Sequence, residues 1–241
     1  MYAKFWKRIL DFVCALLGMI VLSPVLLALT VIGAISFKGN PFFTQVRPGK
    51  EEKLFKMLKF RSMTSHRDEQ GNLLPDECRL TRYGRFLRSS SLDELPELWN
   101  ILKGDMSLVG PRPQLVRDMV FMTDAQRKRH TVPQGLTGLA QINGRNNMTW
   151  EMKLDFDLQY IQNITFLGDL KICLKTVSKV FARDGIATEG MDTAQDLGDY
   201  LLDIGKVTAE DYRAKQQQAK AMCDAALHLD TTYEHDCGGV T

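Results

Sequence analysis

The chain has 241 residues, 44% of them apolar, which is enough for one ordinary domain with appendages. Its 31 lysines and arginines against 29 acidic residues leave a formal charge of +2, and the basic residues are scattered, which argues against nucleic acid as a partner. The five cysteines form no CxxC pair and fit a reducing compartment, and the four histidines lack the spacing of a zinc site.

Residues 12–37 are almost wholly apolar. That exceeds the roughly 20 residues needed to span a bilayer and the apolar run of about 7–15 residues in a cleaved signal. Lys4, Lys7 and Arg8 precede the segment, and Lys38, Arg47 and Lys50 follow it, so both ends favour the cytoplasmic side. Pro24 removes a backbone donor and clashes with the preceding turn, while Ser23 is placed to satisfy the freed backbone. The expectation is a re-entrant membrane helix over residues 1–38, broken at Ser23 and Pro24; a straight kinked crossing is the alternative.

Residues 42–46 and 53–60 alternate around Arg47-Pro48-Gly49-Lys50 and predict a β-hairpin. Lys59, near its far end, is either a phosphate contact or an edge-strand lysine. A polar loop over 65–76 leads to a short helix over 80–88, with Arg82, Arg85 and Arg88 on one face. Ser91 then reads as a helix N-cap, with Glu94 completing a capping box and Leu92, Leu95, Trp99 and Leu102 forming an apolar face. Asp93 falls in the predicted first turn, where a helix end favours an ionised carboxylate or a bridged cation. Acidic residues at such a position are commonly plain stabilisers.

Further on, 114–130 reads as a solvated helix of mixed charge and 132–144 as a glycine-punctuated loop, followed by Arg145. Residues 150–161 and 167–183 read as helices, the second amphipathic and facing membrane or core. Beyond 188 the chain is polar, with a second capping box opening at Thr208 and a helix to about 227. The expected organisation is a membrane helix (1–38), a cytoplasmic catalytic domain (39–188) and a helical appendage (189–241). The fold class is mixed α/β, mainly helical, with one small hairpin and amphipathic helices at the membrane interface.

The run SSSLDELPELWNILKGDMSLVGPRP over 89–113 resembles the signature of the bacterial sugar transferase family, small monotopic phosphoglycosyl transferases. The Ser23-Pro24 break, the run PFFTQVRPG over 41–49 and GLTGLAQINGR over 135–145 match the same family in order. The resemblance implies transfer of a phosphosugar from a UDP-sugar to a polyprenol phosphate such as undecaprenyl phosphate, releasing UMP. That reaction is the first membrane step of surface glycan assembly, placed at the cytoplasmic face of the bacterial inner membrane. It implies Asp93 as nucleophile, forming a covalent phosphosugar intermediate, with Glu94 assisting metal placement or proton handling. Mg2+ is the implied cofactor, with Asp93 as its protein ligand.

Arg112, held between two prolines, is suited to gripping phosphate. Lys59, Arg88 and Arg145 are further candidates for diphosphate or nucleotide contact, and Gln141 and Asn143 for the uracil edge. Asp105 and Asp169 are weaker candidates for orienting arginines or metal. Glu97 stands where relatives often carry Gln, and is expected to lie away from Asp93. The appendage is expected to fold onto the domain or a partner, and is a candidate contact for a second copy or a glycan-pathway partner. A catalytically idle, membrane-tethered scaffold is the alternative reading, against which the intact Asp93, Glu94 and Arg112 argue.

Overall fold

The computed structural model describes residues 2–144, 148–182 and 195–228. The N-terminal apolar segment is broken as expected. Helix α1 (Lys7–Val21), preceded by a turn over Tyr2–Trp6, and α2 (Ser23–Phe37) meet at a bend of 64°. Pro24 cannot donate to the Ile20 carbonyl, and the Ser23 hydroxyl does so instead at 2.7 Å, so the break leaves no orphaned acceptor. No single described helix is long and apolar enough to cross a membrane, but this bent pair meets the length and composition together.

Part of α1 belongs to the domain. Lys7 is buried and pairs with Asp169 at 2.6 Å, and Asp11 accepts from the Ser107 hydroxyl at 2.7 Å and the Leu108 amide at 3.1 Å. Arg8 donates to the carbonyls of Ile101 and Leu102. Of the three basic residues before the apolar segment, Lys7 is therefore an internal fastener, and Arg8, though exposed, ties α1 to residues 101 and 102.

Strands β1 (Phe42–Pro48) and β2 (Leu54–Phe60) form the predicted antiparallel hairpin, with Phe43 opposite Lys59. After a single turn, α3 (Asp76–Arg79), helix α4 (Arg82–Ser90) is capped by the Thr81 side chain and ends at Ser91 in the left-handed conformation (φ 56°). That conformation cancels the predicted cap. Ser91 accepts nothing, residues Leu92–Glu94 form a 3-10 turn, and helix α5 (Glu97–Lys103) begins after Pro96.

The predicted helix over 114–130 is instead α6 (Val116–Met119), α7 (Asp124–Arg127) and a 3-10 turn, Lys128–Thr131. Thr123 and Gln126 form a capping box that starts a new helix in the middle of the predicted one. The expected solvated face holds only in part, because Asp124 and Lys128 are exposed whereas Asp118, Arg129 and His130 are buried.

The glycine-punctuated loop resolves into β4 (Gln134–Thr137), parallel to β3 (Met106–Val109), and α8 (Leu139–Asn143). Glycines permit this pairing: a Cβ on Gly135 would lie 2.1 Å from the Gly110 amide nitrogen and 2.5 Å from the Thr137 oxygen. Gly135→Ala is expected to lower stability by about 1–3 kcal/mol through overpacking, read from denaturant unfolding; an unchanged midpoint would contradict the close crossing.

Helices α9 (Trp150–Gln162) and α10 (Phe166–Ala182) follow. Inward, α10 buries Asp169 and Ile172, and outward it exposes Phe166, Leu167, Leu170, Leu174 and Val177. Helices α11 (Leu197–Asp203) and α12 (Ala209–His228) pack Leu197, Ala219 and Cys223 against Val116, Met119, Phe121, Trp150 and Leu154. The Thr208 cap forms as expected, with the Asp211 amide donating to the Thr208 hydroxyl at 3.1 Å. Residues 229–241 lie outside the described residues.

Behind the hairpin turn, His130 is 1% exposed and 3.7 Å from Glu52. Burial, then the Arg129 charge, pushes its pKa down from 6.5 to about 4. The unfolded chain therefore takes up this proton first as pH falls. The His130 contribution is complete above pH 6.5 and lost toward pH 4, on the order of 3 kcal/mol. His130→Gln should flatten the fall in unfolding midpoint across that window, and an identical slope would contradict this.

Candidate active site

Five elements converge on the Asp93-Glu94 pair. The 3-10 turn carries the pair, β2 brings Lys59, α5 brings Glu97, α4 brings Arg88, and the loop after β3 brings Arg112. Glu94 is the hub. Its Oε1 accepts from Lys59 Nζ at 2.8 Å and from Arg112 Nη2, and its Oε2 lies 3.4 Å from Arg112 Nη1. Burial opposes its charge, but Arg112 and Lys59 outweigh that and hold its carboxyl far below the usual range. Reciprocally, Glu94 raises the Arg112 pKa, and Glu94 and Glu97 raise that of Lys59 against the cost of burial.

Asp93 differs from its neighbour. Among the described residues it makes no hydrogen bond or ion pair, although Lys59, Arg112 and Arg88 all act on its charge. Burial raises its pKa above the ordinary carboxylate value, against the pull of Lys59. A partly desolvated carboxylate without hydrogen-bond partners is a better nucleophile than one solvated by water or locked in a salt bridge.

The Arg112 loop is pinned residue by residue. Gly110 N donates to Thr137 O at 2.9 Å, Pro111 O accepts from Gly135 N at 2.8 Å, and Pro113 O accepts from Arg47 at 3.4 Å. Arg112 O accepts from Arg129 Nη2 at 2.5 Å, and Arg129, itself 0% exposed, pairs with Asp157 at 2.7 Å. The Arg112 side chain remains 39% exposed, so a rigid backbone presents a partly open guanidinium beside the carboxylate pair.

Of the residues singled out from sequence, Asp93, Glu94, Lys59, Arg88 and Arg112 come together. Lys59 is no solvated edge lysine, because two carboxylates hold it. Arg88 turns inward, donating to the Ser62 hydroxyl at 3.1 Å, while Arg82 and Arg85 stay exposed. Gln141 Nε2 donates to Leu136 O at 3.0 Å while its Oε1 is buried without a hydrogen-bond partner among the described residues, and Asn143 Nδ2 donates to Leu139 O at 2.9 Å. Arg145 lies outside the described residues.

Asp169 is a structural partner of Lys7 and of Tyr160 (2.9 Å), not a site residue. Asp105 pairs with Lys103 at 2.8 Å and accepts from Asn100 at 3.2 Å. Trp99, counted in the apolar face of α5, is instead 49% exposed.

Four residues add to the site beyond those singled out for it from sequence. Asn100, 0% exposed, accepts from Leu58 N at 2.9 Å and donates to Lys56 O at 2.7 Å, fastening α5 to β2 and so Glu97 to Lys59. Arg129 and Asp157 support Arg112 from behind. Glu97 is 2% exposed and 3.1 Å from Lys59 Nζ, with its pKa pushed up to about 6 by burial.

Among the described residues no group of three or more histidine, cysteine or acidic side chains is placed to hold an ion. The donor chemistry still suits Mg2+ bound in its usual way, through one protein carboxylate, substrate phosphates and water. Asp93 would be the carboxylate to hold it, since Glu94 is occupied by Lys59 and Arg112.

The profile described as bacterial sugar transferase matches residues 2–183. The chain is 47% identical over 189 residues to the "Uncharacterized sugar transferase EpsL" of Bacillus subtilis, covering 78% of this chain and 94% of that protein. It is 40% identical over 186 residues to the "UDP-glucose:undecaprenyl-phosphate glucose-1-phosphate transferase" of Klebsiella pneumoniae, covering 73% of this chain. It is 36% identical over 201 residues to the "Undecaprenyl-phosphate galactose phosphotransferase" of Salmonella typhimurium, covering 76% of this chain. The chain spans only 40% and 42% of the latter two proteins.

Proposed function

The chain belongs to the bacterial sugar transferase family, and from that premise we propose that it transfers a phosphosugar from a UDP-sugar to a polyprenol phosphate, releasing UMP. The names of the Klebsiella and Salmonella relatives support the reaction class and undecaprenyl phosphate as acceptor. The observation that carries the reading is the contrast within the dyad: Glu94 is saturated with cations, while Asp93 is free of partners among the described residues.

The Asp93 carboxylate attacks the β-phosphorus of the donor, forming an aspartyl O–P bond. The bond from that phosphorus to the bridging oxygen breaks, and UMP leaves with the oxygen. An oxygen of the polyprenol phosphate then attacks the same phosphorus, the aspartyl bond breaks, and Asp93 regains its carboxylate. Lys59, Arg88 and Arg112 supply positive charge where the diphosphate would otherwise repel an anionic nucleophile. Bound Mg2+, held through Asp93 and phosphate oxygens, would add charge neutralisation to the departing phosphate.

The membrane reading rests on the α1–α2 pair and on the exposed apolar residues. Leu17, Ile20, Val21, Leu27 and Ile35 on the bent pair, Phe86, Trp99 and the outer face of α10 are all left outside the core. Both arms rest on the same domain, α1 through Lys7 and Arg8, and α2 through Leu29 O, which accepts from the Tyr83 hydroxyl at 2.7 Å. A re-entrant pair entering and leaving at one face accounts for this, with the domain on the cytoplasmic side.

UMP release by the protein in detergent or nanodiscs, with Mg2+, undecaprenyl phosphate and a panel of UDP-sugars, tests the proposal. Release from at least one donor, dependent on the lipid for turnover, is expected. No release from any nucleoside diphosphate sugar by folded protein would favour the idle scaffold.

A further inference from the structure

Lys59 holds its ammonium between two carboxylates, Glu94 at 2.8 Å and Glu97 at 3.1 Å. Glu94 cannot serve Lys59 alone, because the same oxygen also takes Arg112, and one carboxylate then faces two cations. Glu97 restores the balance from the other side of the lysine. It is anchored in the first turn of α5, itself tied to β2 by Asn100. We propose that Glu97 is a positioning residue that keeps the Lys59 ammonium aimed into the site whenever Glu94 loosens its own contact during the reaction.

The inference rests on the transferase reading of the site. Of the three ammonium donors one is spent on Glu94, while Glu97 holds the group as an ion pair at 3.1 Å, which leaves donor capacity for a phosphate oxygen. Tethered by Glu94 alone, a lysine on a flexible stem would follow Glu94 whenever that carboxylate moved. The second anchor separates the two motions. An amide at position 97 keeps an acceptor oxygen at the same place, whereas an alkyl side chain removes it, so the two substitutions separate anchoring from charge.

The test compares Glu97→Gln and Glu97→Leu with the parent enzyme by steady-state UMP release and by acetylation of Lys59, mapped by mass spectrometry against exposed Lys53. Glu97→Gln is expected to keep kcat within about threefold, and Glu97→Leu to lose about tenfold or more, as misplacement of a catalytic-site group does. In Glu97→Leu the Lys59-to-Lys53 acetylation ratio should rise at least roughly threefold, as loss of a carboxylate partner releases the free amine. Equal loss in both variants, full kcat in Glu97→Leu, or an unchanged acetylation ratio would overturn the proposal. Glu97→Ala carries the same readouts should the leucine variant not fold. If the parent enzyme released no UMP, the transferase reading would fail, while the acetylation ratio would still decide the anchoring.

Discussion

Asp93→Asn is expected to reduce UMP release by at least about 10³-fold while leaving the unfolding midpoint unchanged. The split follows from the geometry. Asp93 has no hydrogen bond or ion pair among the described residues, so its replacement by an isosteric amide breaks no contact, and burial already disfavours its charge. Glu94→Gln should behave differently, lowering stability as well as activity, because Lys59 and Arg112 would lose the charge they share. Parallel UMP assays and unfolding curves separate the two. An Asp93→Asn enzyme retaining a tenth or more of the parent rate would remove Asp93 from the chemistry.

The second large effect is at Arg129, which never touches the carboxylate pair. Arg129→Met is expected to cost about 3–5 kcal/mol, because Asp157, 2% exposed, would keep a buried charge without its partner. Removing both partners, Arg129→Met with Asp157→Leu, should recover much of that stability, since the uncompensated charge goes too. Activity should not recover with it, because the Arg112 carbonyl would still lack its donor at 2.5 Å. Denaturant unfolding and turnover of the single and double variants check both statements. A single-variant cost below about 1 kcal/mol would mean that the pair does not hold the loop.

Local signals carried much of this architecture. The Ser23-Pro24 break, the hairpin around Arg47-Pro48-Gly49 and the cap at Thr208 rest on residues a few positions apart, whose backbone chemistry acts wherever the chain lies. The candidate site residues Asp93, Glu94 and Arg112 sit in one continuous run, the one that carries the family resemblance. Competing caps and contacts, some local and some distant, decided the rest. Ser91 looked like a cap, yet the close of α4 drives it to φ 56°, so the dyad sits on a 3-10 turn ahead of α5 instead of in a helical first turn.

Residues 114–130 carried helical charge patterning, but Asp118 is drawn to the Leu115 and Leu197 amides, and Arg129 to Asp157. The parallel pairing of β3 and β4 joins segments whose runs are too short to show alternation. The Glu97–Lys59 contact is not legible from sequence, because placement around a helix says nothing about a lysine arriving on a neighbouring strand. The appendage, expected to fold onto the domain or a partner, shares a hydrophobic core with α6 and α9 through α11 and α12.

The central claim is that Asp93 carries the phosphosugar between donor and lipid. Intact-protein mass spectrometry after incubation with the accepted UDP-sugar and Mg2+, with polyprenol phosphate withheld, tests it most directly. The account predicts a mass gain of one phosphosugar, accompanied by one equivalent of UMP, localised to Asp93, absent in Asp93→Asn and discharged when polyprenol phosphate is added. UMP formed only when the lipid is present, with no adduct at any time, would mean direct displacement and contradict the two-step account.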